Sequence, residues 1–192
     1  MNNGVIDLLR RDHLNIARLL SIIDEQAELA AAGDQVGLEA LGEAIDYFAD
    51  YPARHQHPLE DALCRRLKRA RPAVARSIDL LLYEHVETAS RLAQFKDLIV
   101  GVRQGRDVRC TAFASTAGVF VNAELEHMAR ENDQLFPAAL AVLGPDDSTL
   151  LQEQIGRSQD PLFGIVTTPH FECLRQLLDE TGEKTPAKLK AG

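Results

Sequence analysis

Apolar side chains recur every three or four residues over long stretches of this chain, and no alternating pattern typical of β-strands accompanies them. This spacing predicts amphipathic helices over residues 4–32, about 36–48, 58–69, 72–99 and about 108–143. Aromatic residues make up only 5% of the chain and Trp is absent, so Leu, Ala, Ile and Val must fill the core. Ala and Leu favour helices. The chain is therefore predicted to be all-α, an up-down four-helix bundle.

Proline residues and composition suggest how the chain is divided. Pro52 and Pro58 interrupt the second helix, and we expect a bend at residues 51–57 before the helix continues. Residues 1–145 are predicted to form the bundle, and residues 146–182 a helical extension packed on it. The polar residues 183–192 are expected to form a frayed tail.

Charge and cysteine content exclude several classes of partner. The net charge is −8 and no Lys/Arg-rich block offsets it, which argues against nucleic acid. No apolar run approaches the length of about 18 residues that a membrane span needs. The cysteines are odd in number and widely spaced, and the N-terminus lacks the pattern of a signal peptide. We therefore expect a cytoplasmic protein without a disulfide framework.

Histidines are distributed over all four predicted bundle helices. His13, His85 and His127 share the apolar stripes of three of them, so their side chains should point at the bundle axis. His55 and His57 lie at the bend of the remaining helix. A single buried histidine usually pairs with a carbonyl or carboxylate, but several that converge on one axis favour a shared metal site. The sixth, His170, lies in the extension, where a surface role is favoured.

Carboxylates follow two of these histidines at helical spacing. Glu131 lies four residues after His127, and Glu60 and Asp61 lie three and four residues after His57. Glu60 is preferred over Asp61 as a ligand because it shares a face with buried apolar positions. Mixed imidazole and carboxylate donors suit iron, manganese or zinc, and bundle cores are where dinuclear carboxylate sites are built. Three other acidic residues of the fourth helix are expected to be solvated: Glu124, Glu126 and Asp133.

Four segments resemble the haemerythrin-like (HHE cation-binding) family: DHLNIARLL, YPARHQHPLEDAL, YEH and EHMARENDQLFP. A further segment, DPLFG, is similar to the C-terminal extension of one bacterial branch of the family. The resemblance implies two non-haem iron ions bridged by carboxylate or oxo groups. It also implies a set of six protein ligands, which would be His13, His57, Glu60, His85, His127 and Glu131.

Three positions depart from the family pattern. Gln56 replaces the first histidine of the usual H-H-P motif, Asn132 replaces the second glutamate of the fourth helix, and Ala89 offers no donor after His85. The larger histidine set of an O2-carrying haemerythrin is therefore not met. Six protein ligands would leave open positions on two irons for water, O2, NO or peroxide.

These features lead to three functional expectations. The first is a di-iron protein that binds O2 or NO reversibly, or senses iron or oxidative stress, with Tyr47, Tyr51 and Tyr83 as candidates to line the site. The second is a redox enzyme that acts on NO, peroxide or O2 at the same site. The third is a helical interaction module without metal. The sequence contains no clearly placed proton donor, so the enzyme is the weaker of the first two.

Overall fold

The computed structural model describes residues 4–144, 147–155, 159–165 and 167–181, and every element in these ranges is helical. No helix in the described ranges has both the length and the apolar character that crossing a membrane would require. Residues 183–192 and parts of 146–182 lie outside the described residues, so the division into bundle, extension and tail stays a prediction. The α-helices are α1 Gly4–Ala32, α2 Leu38–Tyr51, α3 His57–Ala70, α4 Ala75–Arg103, α5 Cys110–Arg130, α6 Phe136–Leu140, α7 Asp147–Ile155 and α8 Glu172–Thr181.

The helical runs contain two π-helical turns, which are wider than α-helical turns: Pro52–Gln56 and Glu131–Leu135. The first joins α2 to α3 as one continuous helical run. The sequence predicted that a bend at 51–57 would interrupt the helix, and this interruption is absent. Each π turn lies just before a proline, Pro58 or Pro137. A proline inside a helix has no N–H to donate, and its ring crowds the carbonyl four residues earlier. The wider turn relieves this crowding, and such turns often lie at functional sites.

The helices bury two apolar clusters with a polar layer between them. Helix α1 packs along α5, α5 along α4, and α4 along α2. On α1, Leu9 belongs to one cluster and Ile16 to the other, and His13 lies between them. On α4, Leu81 and Leu92 likewise fall in different clusters, on either side of the predicted ligand His85. The packing therefore brings polar side chains of several helices to one level of the core.

The C-terminal helices contact the helices that carry this layer. Helix α8 packs on α2, and its Leu174 and Leu178 are buried in the larger cluster. Helix α7 packs against α1 and α3 and adds Leu151 to the smaller cluster. Between α7 and α8, Asp160 accepts a hydrogen bond of 2.8 Å from the hydroxyl of Tyr47 in α2. This bond fixes the segment around Asp160 to the bundle.

Replacing Tyr47 with phenylalanine is predicted to destabilise the protein by about 1.5–3 kcal/mol, the usual contribution of a hydrogen bond to a charged group. Tyr47 is fully buried, so its removal leaves the Asp160 oxygen without this donor. Chemical denaturation monitored by circular dichroism measures the loss. The same change at Tyr83, which is 59% exposed, is the control and should leave the free energy of unfolding unchanged. Equal stability of the Tyr47 variant and the wild type would show that the bond contributes nothing.

Candidate metal centre

Four buried side chains converge in the polar layer: Glu60, His85, His127 and Glu131. Each offers one nitrogen or oxygen atom, and these atoms all lie within 4.8 Å of one another. Glu60 comes from α3, His85 from α4 and His127 from α5, while Glu131 begins the second π turn. Three helical runs thus supply imidazole and carboxylate donors to one enclosed space.

His13 of α1 completes the layer by contacting both carboxylates. Its Nε2 lies 3.2 Å from Glu60 Oε1 and 3.3 Å from Glu131 Oε2. His85 Nε2 approaches the opposite oxygens, at 3.5 Å from Glu60 Oε2 and 3.5 Å from Glu131 Oε1. His127 Nε2 lies 3.4 Å from Glu131 Oε2. Each carboxylate therefore presents its two oxygens to different histidines.

The outward ring nitrogen of each of these three histidines has a side-chain partner. Asp61 lies 2.9 Å from Nδ1 of His85, and Glu84 lies 2.9 Å from Nδ1 of His127. Asn132 Oδ1 lies 3.3 Å from Nδ1 of the third, His13. Partners of this kind fix the ring orientation of metal-ligating histidines and make the other nitrogen more basic. They leave all three Nε2 atoms directed at the two glutamates.

Several of the inward atoms have no hydrogen-bond partner although they are buried. They are Glu60 Oε2, His85 Nε2, His127 Nε2 and both carboxylate oxygens of Glu131. Buried polar atoms are normally paired, because leaving them unpaired costs free energy. A cation between them would satisfy all of them at once. The donor set therefore fits a metal site on chemistry as well as on spacing.

His57 lies beside the cluster without joining the four converging residues. Its ring stacks on that of His85, with centroids 4.5 Å apart, and meets the edge of the His127 ring at 6.4 Å. Burial and the neighbouring His85 lower the pKa of His57 to about 4, so its imidazole is neutral at physiological pH. A neutral imidazole is the form that binds metal.

Family comparison accounts for this arrangement. The model of the Hemerythrin HHE cation binding domain matches residues 4–139, a range that contains every residue of the cluster. The chain belongs to this family. Comparisons with curated proteins and with solved structures gave no match. Haemerythrin HHE domains bind metal cations, and the buried histidine and glutamate cluster of this chain fits that property.

Asp61 and Glu60, the two carboxylate candidates of α3, occupy different places. Glu60 is fully buried in the cluster, whereas Asp61 lies behind His85 as its outer partner. The close contacts with His13 and His85 overcome the cost of burial and hold the pKa of Glu60 well below its usual range. Glu60 is thus ionised, as a metal ligand must be.

The remaining sequence candidates are spread over the fold. Tyr51 is buried and donates to Asp12 Oδ2 at 3.3 Å, whereas Tyr83 is exposed. His55 packs beside Tyr51, with ring centroids 5.6 Å apart. His170 is largely exposed and contacts a carboxylate of α2 at 3.2 Å.

Glu124 was expected to be solvated, and this expectation was wrong. The residue is 3% exposed, and its Oε1 accepts a hydrogen bond of 2.6 Å from the Thr88 hydroxyl. Glu124 precedes His127 by three residues, and Thr88 follows His85 by three, so the pair lies one helical turn from the cluster. Burial raises the pKa of Glu124, although the Thr88 hydroxyl partly offsets this rise.

In the metal-free protein, His13 and His85 carry protons at neutral pH. Burial alone would lower the pKa of His13, but contacts with Glu131 and Glu60 raise it to about 10. Burial also opposes protonation of His85, but Asp61 and the two glutamates raise its pKa to about 12. Because metal binds the neutral imidazole, coordination by these two rings would require both protons to leave.

We therefore predict that Fe²⁺ loading releases at least the two protons of His13 and His85. Protons compete with metal at every pH below the two pKa values, so the affinity should rise as pH increases from about 6 to 8. Anaerobic calorimetric titrations in buffers of different ionisation enthalpy count the released protons. An affinity that does not change with pH would contradict the prediction.

Proposed function

We propose that this protein is a cytoplasmic di-iron protein that binds O2 or NO reversibly, or senses iron or oxidative stress through the same site. Glu60 and Glu131 would hold the ions in the polar layer of an up-down four-helix bundle. The proposed ligands are His13, His57, Glu60, His85, His127 and Glu131.

The proposal of two ions rests on the two oxygens of each carboxylate, which contact different histidines. One oxygen of Glu60 faces His13 at 3.2 Å and the other faces His85 at 3.5 Å. Glu131 likewise faces His13 with Oε2 and His85 with Oε1. A carboxylate placed in this way supports bridging between one ion beside His13 and another beside His85.

The donor types support iron as the metal. Imidazole suits zinc, copper, iron and nickel, whereas carboxylate oxygens suit harder ions, and a mixture of both is common at non-haem iron. His57 supports this set because it is neutral and stacks on His85.

The protein's own groups hold the site and limit access to it. Iron, when bound, supplies open positions at which a small diatomic molecule can bind. Phe136 stacks on His13 with centroids 5.1 Å apart and is fully buried, so it closes one side against water. Asp61 and Glu84 hold His85 and His127 in the orientation that directs Nε2 inward. A dry site of fixed shape selects among small ligands.

The main alternative is a redox enzyme that acts on NO, peroxide or O2, and the burial of Glu124 favours it. A buried carboxyl with a raised pKa, one helical turn from His127, is a candidate proton donor. Thr88 fixes its orientation through a bond of 2.6 Å. A metal-free interaction module is the third possibility, and it requires that the purified protein carry no stoichiometric metal.

One experiment separates these functions. Protein loaded with Fe²⁺ under nitrogen is mixed with O2, NO or hydrogen peroxide, with and without a chemical electron donor such as ascorbate, because turnover of O2 or NO consumes electrons. The visible spectrum and the consumption of each reagent are recorded. Reversible adducts without turnover support the carrier or sensor. Sustained consumption that falls in a Glu124→Gln variant supports the enzyme, and Glu126→Gln, at an exposed position of the same helix, is the matched control.

A further inference from the structure

Gln56 lies in the polar layer with one end of its amide paired and the other unpaired. The residue is 3% exposed, and its Nε2 donates a hydrogen bond of 3.0 Å to Glu60 Oε1. Its Oε1 is buried and has no hydrogen-bond partner. Burying an amide oxygen without a partner costs free energy. A partner from outside the polypeptide would remove this cost.

The hydrogen bond between Gln56 and Glu60 shows on which side of the centre Gln56 lies. Glu60 Oε1, the oxygen that accepts from Gln56, is also the oxygen that contacts His13 Nε2 at 3.2 Å. The other oxygen of Glu60 faces His85. Gln56 therefore lies on the His13 side. The rings of His57 and His127 both pack against the ring of His85, although His127 Nε2 also lies 3.4 Å from Glu131 Oε2, the oxygen that contacts His13.

A second pair of residues repeats the spacing of Gln56 and Glu60. His127 precedes Glu131 by four residues, as Gln56 precedes Glu60 by four, and each pair adjoins a π turn. In both pairs the first residue contacts the carboxylate of the second, at 3.4 Å for His127 and 3.0 Å for Gln56. Gln56 thus occupies on its helical run the place that a proposed ligand occupies on the other.

We propose, on the basis of the two-ion centre above, that Oε1 of Gln56 is a ligand of the ion beside His13. A neutral amide oxygen is a harder and weaker donor to iron than an imidazole nitrogen. The ion beside His13 therefore has the more oxygen-rich donor set and the lower affinity. The two positions fill in sequence, with the position beside His85 first.

The test is an anaerobic Fe²⁺ titration of the whole 192-residue chain by calorimetry, with Mössbauer spectra at one and two equivalents. Two unequal binding steps are expected for the wild type. Gln56→Leu should weaken only the second step, by at least about 10-fold, and change the spectrum of that ion alone, since loss of even an outer partner of a ligand lowers metal affinity by about 10–100-fold. Gln56→His should strengthen the second step. Gln26→Leu is the matched control, because Gln26 is also buried but its Oε1 already accepts from Gly37 N–H at 2.7 Å.

The outcomes distinguish this proposal from the di-iron proposal. If the wild type binds two ions and Gln56→Leu binds both with unchanged affinity, Gln56 is not a ligand and the centre stands. Equal weakening of both steps would also overturn the assignment, since Gln56 would then act through Glu60 on the whole site. If Gln56→Leu does not fold, an unchanged second step in Gln56→His is enough to reject it. A wild type that binds no iron rejects the di-iron centre itself.

Discussion

Glu131→Gln is expected to abolish loading of the two iron ions proposed for this site. The Glu131 carboxylate lies within 3.3–3.5 Å of the Nε2 atoms of three histidines, His13, His85 and His127. Both of its oxygens are buried without a hydrogen-bond partner. Loss of an outer partner lowers metal affinity by about 10–100-fold, so loss of a carboxylate shared by both ions should exceed about 100-fold. Metal analysis after Fe²⁺ loading and desalting measures the effect.

Glu126→Gln provides the control for this prediction. Glu126 lies on the same helical run and is exposed, so its neutralisation changes the net charge equally without entering the core. The control should retain the wild-type iron content. Unchanged folding of the Glu131 variant is checked by circular dichroism. Wild-type iron content in a folded Glu131→Gln protein would remove Glu131 from the centre.

Iron loading is also expected to raise the melting temperature strongly. Each ion that binds only the folded state adds about 2.7 kcal/mol at a free concentration of about 100 times its Kd. Two ions therefore add about 5 kcal/mol, which corresponds to roughly 10–20 °C for a chain of this size. The stabilisation is expected because Glu60 Oε2 and both oxygens of Glu131 are buried without a hydrogen-bond partner in the metal-free protein.

Differential scanning calorimetry under nitrogen, with and without Fe²⁺, measures this shift. Glu131→Gln serves again as a control, since it should show little or no shift with the same metal. An equal shift in the wild type and in this variant would assign the stabilisation to sites elsewhere on the chain. No shift in the wild type would contradict metal binding by the folded protein.

The helices were largely predictable because burial of one face imposes a regular spacing on the sequence. The apolar pattern over residues 4–32 corresponds to α1 Gly4–Ala32. The breaks were less predictable. The prolines at Pro52 and Pro58 were interpreted as a bend, but the helix accommodates them by widening one turn. Pro58 and Pro137 share this local context, so a proline two residues after the turn is the signal that sequence reasoning could have used.

The inward-facing residues of the centre could be predicted from helical phase, whereas their outer partners could not. Phase places His13, His85 and His127 on apolar faces, and all three side chains are buried there. Glu84 lies next to His85 in sequence yet contacts His127, because tertiary packing decides which helix it faces. Asn132, a departure from the family pattern, contacts the outer nitrogen of His13 for the same reason.

Glu124 is a residue to which the argument from helical phase was not extended. It lies three residues before His127 on the same face, so the argument that directed Glu131 inward applies to it equally. The surrounding acidic residues suggested a solvated face, and Thr88 on a neighbouring helix is the partner that allows burial. Gln56 was noted only as a departure from the family motif, since a glutamine at helical spacing does not by itself indicate a ligand.

The most direct test of the proposed centre is the number and environment of bound irons. The protein is loaded with ⁵⁷Fe²⁺ under nitrogen and desalted, and its iron content and Mössbauer spectrum are measured together. Two irons per chain in two unequal environments are expected, because the His13 side and the His85 side offer different donors. One iron per chain, or none, would contradict a pair of ions held between Glu60 and Glu131.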